Sequence, residues 1–164
     1  MIKFSFIFVA VLATARAQST AVSPCSENPG PLPLNAYVEG CVTPPCQLPQ
    51  LQDAVINIVF KAPRNIRSME TNAFAILGSS SFKYDLQENS ITCNFLQNTY
   101  CPLQEGDVVQ YKLAMYIQRI FFVGISATVE FQIVDDNQSP LVCLRLPITI
   151  VKAVDSKKQD LQLE

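Results

Sequence analysis

Residues 125–133, ISATVEFQI, alternate between apolar and polar side chains at every position. This period of two is typical of a half-buried β-strand, because successive side chains of a strand point to opposite faces of the sheet. The apolar row is predicted to face the core: Ile125, Ala127, Val129, Phe131 and Ile133. The polar row is predicted to face solvent: Ser126, Thr128, Glu130 and Gln132.

Five further segments carry strand patterns, most clearly residues 55–61, 109–117 and 144–150. A shorter strand is predicted at residues 69–77 and an edge strand at residues 36–42. Clusters of turn-forming residues separate the strands, at residues 29–31, 62–65, 78–81, 105–107 and 135–137. No segment has a convincing helical period. The sequence therefore predicts one all-β domain, an antiparallel β-sandwich of about seven strands.

The first 17 residues have the features of a secretory signal peptide. Lys3 provides a positive charge, residues 4–13 are apolar, and Ala15-Arg16-Ala17 is a small-x-small cleavage pattern. The apolar stretch is shorter than the ~20 residues that a spanning helix needs. We expect an exported protein with a domain at residues 18–152 and a flexible tail at residues 153–164.

The composition is more apolar than that of most globular chains. Hydrophobic residues make up 49% and charged residues 16%, whereas about 25% charged residues is typical. Either a rich solid core or a hollow one explains this excess. Loss of the signal segment leaves 10 basic and 14 acidic residues, and this balance argues against a nucleic-acid partner. We expect a monomer.

The six cysteines of an exported chain indicate three disulfides. Cys41 and Cys46 bracket a short proline turn, and Cys93 and Cys101 bracket a polar loop. These two local pairings leave Cys25 for Cys143. A zinc site is the alternative, but the chain has no C-x-x-C motif and no histidine. We therefore expect no metal and no cofactor.

Catalytic motifs are missing from the sequence. Without histidine, Ser-His-Asp and Cys-His nucleophilic machinery is excluded. Asp135 and Asp136 form a conceivable carboxylate pair, but a solvated hairpin turn is the favoured interpretation. Residues 137–139 form a glycosylation sequon at Asn137, although Pro140 should lower its use. The protein is predicted not to be an enzyme.

Three segments together resemble the ML-domain family of lipid-recognition proteins. They are residues 40–48 (GCVTPPCQL), residues 92–103 with Cys93 and Cys101, and residues 129–148, which run from a VEF strand through an Asp-Asp turn to Cys143. The resemblance covers residues 22–151. It implies the same three disulfides and an immunoglobulin-like sandwich whose two sheets enclose an apolar cavity that ligand enters end-on.

The resemblance also implies a portal at one end of the cavity. By position, Tyr84, Ile117 and Phe122 match the family's portal residues, whereas residues 79–84 (SSSFKY) replace a proline-rich run of the family. Lys83 is a candidate partner for a ligand carboxylate at the mouth. The remaining candidate ligand contacts are two loop aromatics and five strand residues, for which ordinary packing is the alternative: Phe82, Phe121, Ile58, Phe60, Phe74, Leu113 and Phe131.

These features predict a secreted carrier of a fatty acid, a sterol or an apolar semiochemical. One alternative is a sterol-transfer protein of the lysosomal lumen, which docks to membranes. Another is an immune lipid-recognition module that presents its ligand to a membrane receptor or transporter. The absence of histidine removes the simplest switch between pH 5 and 6.

Overall fold

The computed structural model describes residues 18–154, so the predicted signal segment and residues 155–164 of the predicted tail lie outside the described part. Within that part no helix is long and apolar enough to cross a membrane. The strands in chain order are β1 (Asn35–Val38), β2 (Cys46–Pro49), β3 (Asp53–Lys61), β4 (Met69–Leu77), β5 (Ser80–Tyr84), β6 (Val108–Tyr116), β7 (Ser126–Asp135) and β8 (Pro140–Val151). Two short 3-10 helices, Gln87–Ser90 and Thr92–Phe95, connect β5 to the loop before β6.

The strands form two sheets that face each other. One sheet has three strands in the order β1-β3-β6, and the other has five in the order β2-β8-β7-β4-β5. The all-β sandwich is thus confirmed. The sheets are not wholly antiparallel, however, because β2 pairs with β8 in parallel, with Cys46 beside Ile148.

Five predicted strands match β3, β4, β6, β7 and β8 to within a few residues. The predicted edge strand at residues 36–42 is shorter, because β1 ends at Val38. Two strands were missed. β2 is only four residues long, and β5 falls on residues predicted as turn and loop. Gly78, with φ of +60°, closes the β4–β5 hairpin, since glycine adopts this conformation without strain.

The inward rows of the two sheets fill the half of the sandwich where β6 begins. Ile58 on β3, Leu113 on β6 and Ile133 on β7 are each at most 1% exposed. Deeper still, the buried Thr71 hydroxyl donates to the Tyr111 hydroxyl at 2.9 Å and lies 2.7 Å from Thr92 Oγ1. This cluster joins β4 of one sheet to β6 of the other.

One prediction is wrong for the outer face of the five-stranded sheet. Glu130 and Gln132 were expected in solvent, but they are 0% and 8% exposed. The N-terminal segment, residues 22–31, covers them. It is fixed to β8 by the disulfide between Cys25 and Cys143. A Cβ on Gly30 would lie 2.8 Å from the Cβ of Cys143, so this close approach requires glycine.

Hydrogen bonds satisfy the buried Glu130 carboxylate. It accepts from the backbone N–H of Ser26 at 2.7 Å, from the side chain of Asn28 at 2.8 Å and from the N–H of Glu27 at 3.3 Å. Burial by itself would raise the pKa of Glu130, but these hydrogen bonds outweigh it and hold the pKa below its usual value. The carboxylate is therefore an anchor for the N-terminal segment.

The turn after β7 is confirmed, but Asp135 is not solvated. It is 3% exposed, accepts from the N–H groups of Asn137 and Ser139, and pairs with Arg64 at 2.6 Å. Burial favours a raised pKa of Asp135, yet the Arg64 hydrogen bond and the two N–H donors lower it. Asn137 of the sequon is exposed in this turn.

The three predicted disulfides are present: Cys25–Cys143, Cys41–Cys46 and Cys93–Cys101. The Cys41–Cys46 bridge closes the turn between β1 and β2, so it places the short β2 strand beside β8. The Cys93–Cys101 bridge closes the loop that leads from the second 3-10 helix towards β6.

Candidate ligand-binding cavity

An apolar cavity of about 110 Å³ lies between the sheets, in the half of the sandwich where β6 ends and β7 begins. The main reason for the space is side-chain size. Ala73 and Ala75 on β4 and Ala127 on β7 border the cavity, whereas aromatic residues fill the opposite half. Its other bordering residues are Leu48, Phe74, Leu77, Tyr84, Met115, Ile117, Phe121, Ile125, Val129, Ile148 and Ile150.

The mouth of the cavity lies between Tyr84 and the loop of residues 118–124. The rings of Tyr84 and Phe121 are 5.9 Å apart, centre to centre, and tilted by 46°. The Tyr84 hydroxyl donates to the carbonyl of Tyr116 at 3.1 Å, and this bond joins the edges of the two sheets. Burial and the nearby Asp85 charge raise the pKa of Tyr84, against a hydrogen bond with Gln118. A neutral hydroxyl therefore stands at the mouth.

Gln50 holds the loop of residues 118–124 in place. Its Nε2 donates to the carbonyls of Phe121 at 2.5 Å and Arg119 at 3.2 Å. At the end of the loop, the N–H of Gly124 donates to the carbonyl of Ile150 at 2.8 Å. Gln50 follows β2 as one polar residue among several, so the sequence contains no signal for this role.

A second, smaller chamber of about 20 Å³ lies behind the first. Four residues border both spaces: Leu48, Met115, Val129 and Ile148. Beyond them the chamber extends towards Phe131 on β7 and Val38 on β1. The two spaces thus lie side by side, with the four shared side chains as their common wall.

Among all the side chains that border either of the two spaces, the one polar group is the Tyr84 hydroxyl at the main cavity. The sandwich therefore has the geometry to enclose an apolar molecule, and it offers no paired acid and base for a reaction. The family model for the ML domain matches residues 19–150. The chain belongs to the ML-domain family. This membership confirms the resemblance derived from the sequence, and the family is one of lipid-binding proteins rather than enzymes.

Similar proteins agree with this assignment. The NPC intracellular cholesterol transporter 2 of Bos taurus is 21% identical over 146 residues, which cover 89% of this chain and 95% of the bovine protein. The crystal structure of a Niemann-Pick type C2 protein from Japanese carpenter ant superimposes with a TM-score of 0.66 at 16% identity, covering 79% of this chain and 98% of the ant chain. The latter likeness shows the fold alone. Chicken MD-1 complexed with lipid IVa reaches a TM-score of only 0.42, at 10% identity over 60% of this chain and 70% of that one, and supports no conclusion about this protein.

The ML-domain cavity includes some of the predicted ligand contacts. Tyr84, Ile117 and Phe121 border the main cavity, and Phe131 borders the second chamber. Phe74 also borders the main cavity. It alternates with Ala73 and Ala75, so its side chain points to the opposite face of β4 and its main chain forms the border.

Other candidates lie elsewhere in this ML domain. Ile58, Phe60 and Leu113 are packed in the core below both spaces, each at most 2% exposed. Phe82 and Phe122 are 55% and 73% exposed beside the mouth. Sequence reasoning missed the small residues Ala73, Ala75 and Ala127, whose inward positions in alternating strands were the available signal.

Lys83 also falls outside the cavity. It precedes the inward-facing Tyr84 and pairs in register with Phe74, so strand alternation places its side chain on the outer face of the five-stranded sheet. The expected contact between Lys83 and a ligand carboxylate stays a prediction.

One cluster has the composition of a metal site. Potential ligand atoms of Cys25, Glu130 and Cys143 lie within 4.8 Å of one another. Both sulfurs form a disulfide, however, and are not thiolates, while the Glu130 oxygens accept hydrogen bonds from the N-terminal segment. The cluster is structural.

Proposed function

We propose that this protein is a non-catalytic carrier that holds an apolar small molecule in the cavity between its two sheets. The observation that carries the proposal is the cavity's border, which is apolar throughout except for one neutral hydroxyl at the mouth. A ligand would bind with its apolar part among Ala73, Ala75 and Ala127 and its polar end near Tyr84.

Burial of methylene groups would provide the binding free energy. Each buried methylene contributes about 0.8 kcal/mol, so ten would contribute about 8 kcal/mol before the costs of association. No directional hydrogen bond is needed for such binding. Selectivity should follow from the length and width of the enclosed space.

The dimensions of the cavity favour a slender ligand. Its volume of about 110 Å³ is comparable to the ~150 Å³ of an engineered cavity that binds benzene, and smaller than the ~300–1,000 Å³ of typical ligand sites. Among a fatty acid, a sterol and an apolar semiochemical, an acyl chain or a small hydrocarbon enters with the least widening of the sheets. A four-ring sterol requires the most.

The proposed carrier works outside the cytosol, as a monomer. Three disulfides in a domain of this size persist in oxidising compartments, which supports secretion, with the lysosomal lumen as the alternative. Residues 1–17 carry the expected export signal.

A second candidate function is delivery of the ligand to a membrane or a membrane receptor. Ile120 and Phe122 in the loop beside the mouth are 70% and 73% exposed, and Phe82 on β5 is 55% exposed. Exposed apolar residues gathered at one site indicate contact with another apolar surface. We call these three residues the apolar rim.

Displacement of a fluorescent fatty-acid probe tests the carrier function. Straight-chain fatty acids and volatile hydrocarbons are expected to displace the probe at lower concentrations than sterols. Ala75→Phe should reduce probe affinity at least tenfold, because the ring occupies space that the ligand needs. Failure of every apolar competitor to displace the probe would refute the proposed function.

Ala114→Phe is the matched control. Ala114 is half-buried like Ala75, but it lies between the inward-facing Leu113 and Met115 and therefore faces away from the cavity. The variant should bind the probe as the wild type does. An equal loss of affinity in both variants would show that general destabilisation, rather than cavity filling, is responsible.

A further inference from the structure

Met115 lies at the boundary between the two spaces of the sandwich. It is on β6, where it pairs in register with Ala54 of β3, and it is 9% exposed. Together with Leu48, Val129 and Ile148 it borders both the main cavity and the second chamber. Any molecule that passes from one space to the other must move between these four side chains.

Met115 is the most adaptable of the four. Methionine is unbranched and has three rotatable side-chain bonds, so it fills irregular gaps and changes shape at low cost. Val129 and Ile148 are β-branched residues in paired strands, and their side-chain rotation is restricted. The common wall is therefore most easily opened at Met115.

Strand geometry gives the lengths of the two spaces. Measured from Ile125 at the mouth, Val129 lies four residues along β7 and Phe131 lies six, which correspond to about 14 Å and 20 Å at ~3.4 Å per residue. A C–C bond of about 1.5 Å advances an extended chain by about 1.25 Å. An extended chain of about eleven carbons thus reaches from the mouth to the common wall, and one of about sixteen reaches Phe131. With a volume of about 110 Å³, the main cavity must widen to hold either chain.

We propose that Met115 is the residue that sets the chain length of the ligand. In its observed position it limits the ligand to an apolar chain of about eleven carbons, and its displacement opens a channel to Phe131 for about sixteen. The inference rests on the proposed carrier function. It makes medium-chain acids, alcohols or hydrocarbons the preferred ligand class.

Competition by straight-chain alkanoic acids, from octanoic to octadecanoic acid, tests this proposal. One buried methylene is worth about a fourfold gain in affinity. Wild-type affinity should rise by about this factor per carbon up to about eleven carbons, and by less than twofold per carbon beyond. In Met115→Ala the steep rise should continue to about sixteen carbons.

Met69→Ala is the matched control. Met69 is a buried core methionine of β4, 4% exposed, whose replacement leaves a similar gap away from both spaces. In this variant the steep rise of affinity with chain length should end at about eleven carbons, as in the wild type. Met115→Ile provides a second variant that preserves the bulk of the side chain and restricts its rotation. It should bind decanoic acid normally and lose at least tenfold in affinity for hexadecanoic acid.

One result would overturn the role of Met115 alone, and another would overturn the carrier function as well. The inference on Met115 is overturned, and the carrier function stands, if acids bind but wild type, Met115→Ala and Met115→Ile share one dependence on chain length. The proposed function itself fails if the wild type binds no acid of any length, and the inference fails with it.

Discussion

Glu130 anchors the N-terminal segment through a buried carboxylate that accepts hydrogen bonds from three consecutive residues, Ser26, Glu27 and Asn28. Strand alternation correctly placed this residue on the outer face of the five-stranded sheet. It did not reveal that a distant segment covers that face, because local periodicity contains no information about contacts between residues 104 positions apart. Glu130 is the one charged residue in the polar row of residues 126–132, and this charge was the available hint.

Protonation of Glu130 and Asp135 should destabilise the fold. The pKa values of both carboxyls are lowered in the folded state, so the folded state favours the charged forms. Their contribution is complete above the unfolded values of about 4.3 and 3.9 and is lost as the pH falls through the lower folded values. The contribution of these two carboxyls to the free energy of unfolding should be constant from pH 7 to pH 5 and should decrease below about pH 4. Urea unfolding at a series of pH values measures it.

Glu130→Gln isolates one of the two groups. The variant should be less stable at pH 7 by about 2–3 kcal/mol, because hydrogen bonds to a charged acceptor are lost, and its stability should fall less steeply below about pH 4. Glu39→Gln is the control, since Glu39 forms an exposed pair with Lys112 at 3.6 Å that is worth about 0–1 kcal/mol. Equal stability losses in both variants would contradict the anchoring role.

Among the elements, β7 was the easiest to predict and β5 the hardest. β7 is a central strand with one apolar face, so its sequence alternates, and its predicted inward row includes Phe131 and Ile133 in the core. β5 is an edge strand whose residues are mostly exposed, and its serines resemble a turn. The Cys41–Cys46 turn and the pairing with β8 determine the position of β2. The local sequence pattern does not reveal this pairing.

The loop of residues 118–124 determines where apolar residues meet solvent. Gln50 fixes the carbonyls of Arg119 and Phe121, so Phe121 turns towards Tyr84 while Phe122 points outward. The sequence predicted aromatic residues at a portal and assigned Phe122 to the mouth by position. In the structure the Phe121 ring lies beside Tyr84, and Phe122 is 73% exposed beside the mouth.

Phe122→Ser tests the delivery role of the apolar rim. Removal of an exposed ring of this size should slow transfer of a bound fluorescent fatty acid to phosphatidylcholine vesicles by about tenfold, since apolar contact area at the membrane is lost. Affinity for the probe should not change, because Phe122 does not border the cavity. Transfer would be followed by the change in fluorescence after mixing of loaded protein with vesicles.

Tyr100→Ser is the control for this experiment. Tyr100 is 80% exposed and lies next to the Cys93–Cys101 bridge, in the loop that contacts the start of β6, far from the mouth. Its replacement should leave the transfer rate unchanged. A transfer rate that does not depend on vesicle concentration, or that both substitutions slow equally, would argue against docking through the rim.

At the scale of the whole molecule, the sandwich is solid in one half and hollow in the other. The apolar excess of the composition was compatible with either arrangement. The distinction depends on which side chains face each other across the sheets: Ala73, Ala75 and Ala127 meet in one half, and Phe60 and Tyr111 pack in the other. Ile58, Phe60 and Leu113 were predicted as ligand contacts because the alternation of a strand shows which side chains point inward. The alternation does not show which side chains of the other sheet they face.

A buried polar cluster joins the two sheets in the closed half, and an exposed hydrogen bond joins them at the mouth. The Thr71–Tyr111–Thr92 cluster joins the sheets deep in the core, where burial raises the pKa of Tyr111 to about 12 despite the threonine hydrogen bonds. At the mouth, the sheets are joined by the bond from Tyr84 to the Tyr116 carbonyl. Widening for a ligand should therefore occur at the mouth.

The most direct test of an apolar ligand between the sheets is a set of intermolecular nuclear Overhauser effects from carbon-13-labelled decanoic acid to methyl groups of the protein. The account predicts contacts from the chain methylenes to the methyls of Ala73, Ala75 and Ala127, and none to Ile133 or Leu144 in the closed half. The account would be contradicted if, at saturating ligand, the three alanine methyls showed no Overhauser effect and all contacts were confined to the apolar rim or to the outer face of the five-stranded sheet.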